Sequence, residues 1–196
     1  MTTAFVLGNG RSRQAIDLLA LKQHGPVYAC NAIYREFTPD VLVATDLPIA
    51  TVIQESGYAQ KNKFYTRRPL PNSGAHKLCK EYMGFSSGPN AVGLACLDGY
   101  TRIYMLGFDL GTSDGKFNNL YADTDFYKKS SAPPTFSGNW IRQIAQICNK
   151  YPTRQFIRVQ GPESAPVYDL AQQVPNMKFM EISEFKDLLN TSKGLL

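Results

Sequence analysis

The chain has 196 residues, 43% of them hydrophobic and 19% charged, with a formal charge of +5 and a pI near 9.0. That length and composition suit one domain with its own core and exclude disordered, collagen-like and coiled-coil chains. The charge favours an anionic partner, but the basic residues are scattered, densest at Lys61, Lys63, Arg67 and Arg68 with Lys77 and Lys80 beyond, and no basic stripe interleaves with stacking aromatics, so nucleic acid is not the expected partner.

In chain order, Ala4-Phe5-Val6-Leu7 is a short apolar run ended by Gly8-Asn9-Gly10, which predicts a buried strand and a tight turn. A helix is expected from 12 to about 23, with Ile16, Leu19 and Ala20 at helical spacing and Gly25 as its stop. Val27-Tyr28-Ala29-Cys30 and the β-branched run Val41-Leu42-Val43-Ala44-Thr45 read as strands, followed by a helix near 48–57 and a strand at Phe64-Tyr65. Residues 66–85 read as irregular surface structure. A helix follows over 87–97, with Ser87 as its expected cap, Pro89 in its first turn and Gly99 past its end. Beyond a strand at 102–106, the stretch 110–137 is rich in Gly, Ser, Asn and Pro and lacks periodicity, as a lid or binding loop does. A helix at 139–149, strands at 155–159 and 178–180, and a terminal helix from 183 complete the chain. Short apolar strands alternating with helices predict an α/β fold over residues 1–196, doubly wound, with a mostly parallel sheet and helices on both faces.

No apolar run reaches the roughly 18 residues that cross a membrane, and the amino terminus lacks a basic leader, so a cytoplasmic chain is expected. Cys30, Cys79, Cys96 and Cys148 form no C-x-x-C pair and share no metal-ligand spacing with histidine, which points to reduced thiols and no metal site.

Polar groups fall where strands end. Gly8-Asn9-Gly10-Arg11-Ser12-Arg13 follows the first strand, where backbone amides and a helix start are expected to hold phosphate. Arg13 stands where a dinucleotide fingerprint has its third glycine, and Asn31 replaces the acidic residue expected about 20 positions on, so NAD is disfavoured. Asn31 closes the second strand, Asp46 the third and Asp109 a later one, while Ser87 and Gly88 open a helix. Each alone is explicable as a turn or cap; together they predict one crevice at the carboxyl ends of the strands.

The motifs Gly8-Asn9-Gly10-x-Ser12, Cys30-Asn31-x-x-Tyr34, Ser87-Gly88 with its small-residue helix, and Gly99-Tyr100-x-x-Ile103-Tyr104-x-x-Gly107-x-Asp109 occur in this order. In them the chain resembles the sialyltransferase-like proteins of glycosyltransferase family 42 and their relatives, many of them in phages. The resemblance implies a Rossmann-like sheet with a lid, and a cytidine nucleotide donor contacted through Asn9, Asn31 and Ser87. The family's histidine general base follows its lid; here Pro134-Thr135-Phe136-Ser137-Gly138-Asn139-Trp140 contains none, and His24 and His76 read as surface residues. Asp109 and Tyr121 are therefore the expected catalytic residues, with Asp123, Asp125 and Tyr127 as further candidates. The leading reading is a nucleotide-sugar-dependent transferase with no other cofactor implied. A non-catalytic nucleotide-binding phage accessory protein, or a phosphate or pyrophosphate transferase on the same scaffold, stands beside it. Acceptor and any homo-oligomer are left open.

Overall fold

In the computed structural model, which describes residues 1–191, the apolar runs become strands β1 (Thr3–Leu7), β2 (Val27–Cys30), β3 (Val41–Ala44), β4 (Phe64–Thr66), β5 (His76–Lys77), β6 (Arg102–Leu106), β7 (Gln155–Gln160) and β8 (Met177–Glu181). They form one sheet in the order β5-β4-β3-β2-β1-β6-β7-β8, and every pairing is parallel. The chain steps outward from β1 to β5, returns to β6 beside β1, and then steps outward the other way. The order reverses between β1 and β6, which opens a crevice at their carboxyl ends.

Because side chains alternate along a strand, each strand feeds two cores. Ala4 and Val6 of β1 join Ile103 and Met105 of β6 on the face covered by α4 (Ser87–Leu97), α5 (Gly138–Lys150) and α6 (Tyr168–Gln173). Phe5 and Leu7 join Tyr104 and Leu106 on the opposite face, under α2 (Leu47–Glu55), α3 (Tyr58–Lys61) and α7 (Ile182–Thr191). Parallel strands buried on both sides are apolar throughout, as β1, β2 and β3 are. Helix α4 is nearly all buried, and a Cβ on its Gly93 would stand 2.6 Å from the Tyr82 ring. Its small residues let it settle on β1, β2 and β3, with its first turn at their carboxyl ends.

Three expectations change. The helix expected over 12–23 is a 3-10 turn at Arg11–Ala15, an extended Ile16, and then α1 (Leu18–Lys22), which Asp17 caps by accepting from Leu19 N at 2.9 Å and Ala20 N at 3.2 Å. Ser86, not Ser87, holds the capping position of α4, and it makes no side-chain cap bond. β5 and the 3-10 turn Lys80–Tyr82 arise where irregular chain was expected, and α6 falls in a stretch to which no element was assigned. Among the described residues no helix is long and apolar enough to cross a membrane.

Candidate functional site

A cavity of about 340 Å³ lies at the reversal point, within the range of small-molecule sites. Of the residues expected at the site, Gly8, Asn9, Gly10, Asn31, Asp46, Ser87, Gly88 and Asp109 line it. Arg11, Ser12 and Tyr121 are not in its wall. Thr45, Arg67, Phe108, Asn118 and Trp140 are.

The glycine turn after β1 does not form the phosphate cradle its sequence suggests. Gly8 N donates to Leu106 O at 2.8 Å and Gly10 N to Gly107 O at 2.9 Å, which knits the exits of β1 and β6 together. Arg11 N donates to Asn118 Oδ1 at 2.8 Å and Ser12 N to Asp109 Oδ2 at 3.1 Å. Those amides are engaged within the chain. Glycine is required here by close approach, since a Cβ at Gly10 would overlap the Asp109 carboxylate. The Arg11 side chain points outward to Asp114 at 2.8 Å, and the bonds Asp114 accepts from Thr112 and Arg11 hold its carboxyl well below the usual carboxylate range.

Arg13, in the place of a fingerprint glycine, is buried under the same turn. Its Nε donates to Gly8 O at 2.7 Å, and its Nη2 donates to Asn9 Oδ1 at 3.3 Å and to the Tyr121 hydroxyl at 3.1 Å. Asn9 Nδ2 in turn donates to Cys30 O at 3.1 Å, so its amide ties β1 to β2 from the cavity wall. Burial pushes the Cys30 thiol up to about 12, against the pull of Arg13.

Both expected catalytic residues are held in hydrogen bonds within the chain. Asp109 Oδ2 accepts from Ser12 N and, at 3.0 Å, from Asn118 Nδ2, while Oδ1 accepts from Ser164 Oγ at 3.0 Å. Asp109 is 3% exposed and serves as the buried knot between the β1 turn, the β6 exit and the loop after β7. Tyr121 donates to Glu36 Oε1 at 2.5 Å; burial first, then that bond, raises its phenol far above the usual value. The Tyr127 hydroxyl accepts from Ala32 N at 3.3 Å, and burial raises its pKa too. Asp123 and Asp125 lie outside the cavity wall, and Asp123 accepts from Ser130 N at 3.1 Å. His24 and His76 are also outside it.

Asn31 is placed differently. It follows β2 with φ 57, in the left-handed region, and its Oδ1 is buried at the cavity with no partner among the described residues. Asparagine tolerates this backbone better than most residues, but a strained backbone with an unmet acceptor is a feature of ligand sites. Opposite, α4 presents its first turn: Ser87 and Gly88 line the cavity, and neither of their amides has an acceptor in the described chain. The Ser87 hydroxyl accepts from Thr45 N at 2.9 Å and shares a second bond with Thr45 Oγ1 at 2.9 Å, so it fixes α4 to β3. Arg67 supplies the cation of the wall: Nη2 donates to Phe85 O at 2.8 Å, just ahead of α4, and Nε is buried without a partner. Asp46, at the start of α2, is exposed, and its carboxylate makes no cap bond.

No protein-family model and no curated protein matches the chain. Among solved structures it is similar to the sialyltransferase CstII from Campylobacter jejuni, determined in complex with a substrate analogue, cytidine-5'-monophosphate, at a TM-score of 0.57 and 16% sequence identity over 91% of this chain and 85% of that chain. The chain shares its fold with a sialyltransferase. The Rossmann-like α/β architecture expected from the motifs is thereby shown, and at this identity the likeness speaks for the fold alone.

Sequence reasoning had noticed Arg67 only as part of a surface basic group. Its neighbours Lys63 and Arg68 do face outward, and nothing local marks which of the three turns inward. Arg158 falls within the strand expected at 155–159. It is 1% exposed and donates to the carbonyls of Phe108 and Asp109 at 2.8 Å and of Ala165 at 3.0 Å, which shapes the cavity wall from behind. A cation inside the apolar run Phe156-Ile157-Arg158-Val159 was the available signal.

Proposed function

We propose that the cavity binds a nucleotide or nucleotide-sugar, cytidine the leading base, and that the chain transfers the glycosyl group. The observation that carries this reading is Asn31, which lines the cavity with a left-handed backbone and a buried Oδ1 that has no partner among the described residues. An acceptor there suits a ribose hydroxyl or a base amino group. The phosphate goes to the free amides of Ser87 and Gly88 and the positive end of α4, beside Arg67. Trp140 offers a ring at the same wall. The likeness in fold to a structure determined with cytidine-5'-monophosphate supports the choice of base.

Transfer requires a base for the acceptor proton. Asp109 is committed elsewhere, which leaves Asp46 as the lining carboxylate with no hydrogen bond in the described chain. In this scheme the acceptor oxygen attacks the anomeric carbon, the sugar–phosphate bond breaks with its electrons leaving on the nucleotide, and the hydroxyl proton passes to Asp46. Binding without transfer is the second reading, favoured by the engagement of both Asp109 and Tyr121 in structural bonds. Release of CMP from CMP-sugars in the presence of candidate acceptors separates the two. Turnover abolished by Asp46→Asn supports transfer; tight binding with no release under any donor supports the second reading.

A further inference from the structure

Asn31 opens a 3-10 turn over Asn31–Arg35, and its φ of 57 is held from outside that turn. A left-handed backbone at a residue other than glycine costs free energy, so surrounding contacts must select it. The peptide leaving Asn31 carries the amide of Ala32, a residue at 0% exposure. Ala32 N donates to the Tyr127 hydroxyl at 3.3 Å. That bond fixes the plane of the Asn31–Ala32 peptide, and with it the ψ of Asn31. Two further ties seat the same segment on the turn. Arg35 Nη1 donates to Thr124 Oγ1 at 3.0 Å and its Nη2 to Asp125 O at 3.3 Å, while Tyr121 donates to Glu36, the residue after the turn. The rings of Tyr121 and Tyr127 pack against each other, their centroids 5.8 Å apart. Between these ties Asp123 and Phe126 are left-handed as well, at φ 66 and 72. Tyr127 is not in the cavity wall, although the residue it steadies is.

We infer that Tyr127 is a positioning residue, which acts on the ligand through the carboxamide of Asn31 by holding the peptide that follows it. The segment 121–127 is then a brace on the turn, with Arg35 and Glu36 as its other two fixing points. Without the phenol oxygen, Ala32 N is a buried donor that has lost its acceptor. The peptide rotates to recover one and carries the Asn31 side chain with it. The effect on affinity rests on the nucleotide reading of the cavity; the effect on the Asn31 backbone does not.

The test titrates CMP into the full chain, into Tyr127→Phe, into Asn31→Gly and into the chain carrying both substitutions. In parallel, NMR follows the couplings of Asn31 that report the sign of φ in the ligand-free parent and Tyr127→Phe chains. We expect Tyr127→Phe to weaken CMP about fivefold, the net worth of one neutral hydrogen bond, and to shift the Asn31 couplings toward negative φ. In the Asn31→Gly chain no carboxamide remains to be placed, so Tyr127→Phe costs CMP nothing further. An equal loss in both backgrounds would make Tyr127 a direct contact or a general support, and would overturn the inference. Unchanged CMP affinity or unchanged Asn31 couplings in Tyr127→Phe would overturn it too. Should CMP fail to bind the parent chain, the nucleotide reading falls, and the Asn31 couplings alone decide whether the brace stands.

Discussion

Asn31 separates binding from folding more cleanly than any other residue of the cavity. Its φ of 57 is a conformation glycine adopts without strain, and its Oδ1 bonds to nothing in the described chain. Asn31→Gly therefore keeps the backbone and removes the carboxamide that carries the acceptor. We expect the melting temperature to stay within about two degrees of the parent, since surface-type changes without lost contacts fall within about 0.5 kcal/mol. Nucleotide affinity should weaken tenfold or more by calorimetric titration. Asp109 behaves in the opposite way. Asp109→Ala strands the Ser12 amide and the Ser164 hydroxyl in a buried site, at a cost of about 3 kcal/mol in urea unfolding. A stable Asp109→Ala chain would mean that the carboxylate is not the knot described.

At the level of elements, the segment 110–137 is a loop without helix or strand, yet it is bound into the molecule. Asn118 Nδ2 donates to Gly111 O and Glu163 O at 3.0 Å each, Leu120 N donates to Asn9 O at 2.8 Å, and Tyr121 packs in the core beside α2 and α7. Deleting 114–131 removes those anchors, so we expect a clear fall in the urea midpoint as well as lost binding; an unchanged midpoint would show a detachable lid. Composition marked this segment as functional but could not reveal its anchoring, because anchors such as Asn118 to Glu163, 45 positions apart, and Arg13 to Tyr121, 108 apart, join distant parts of the chain. The central strands were legible because burial on both faces makes them uninterrupted apolar runs. The helix over 12–23 was misplaced because Ile16, Leu19 and Ala20 satisfy a helical period while Arg13, drawn under the glycine turn, and Asp17, capping α1, break it. Of the site, Asn31 and Asp46 at strand ends and Gly88 at the start of α4 were legible; the inward turn of Arg67 was not. Arg158→Leu, which leaves the carbonyls of Phe108 and Ala165 behind the cavity unpaired, should cost about 3 kcal/mol by the same measurement.

For the molecule as a whole, burial of acidic hydrogens sets the alkaline limit. Burial pushes the thiols of Cys30 and Cys96 and the phenol of Tyr58 up to about 12 from ordinary values of 9.0, 9.0 and 10.0. Unfolded, these groups lose protons first, so the stability they give is fully present below about pH 9 and is lost as pH rises toward 12. Urea midpoints should decline steadily from pH 9 to 11; a flat profile would contradict the burial of these groups. The parallel sheet, its reversal between β1 and β6 and the first turn of α4 converge on one cavity whose unmet groups are the Asn31 acceptor and the donors of Ser87, Gly88 and Arg67. The most direct measurement is calorimetric titration of the full chain with CMP, UMP, GMP and AMP, beside Asn31→Gly. Saturable CMP binding that exceeds the other nucleotides and falls tenfold or more in Asn31→Gly is the expected result, whereas no nucleotide binding by the folded chain, or binding indifferent to Asn31→Gly, would contradict it.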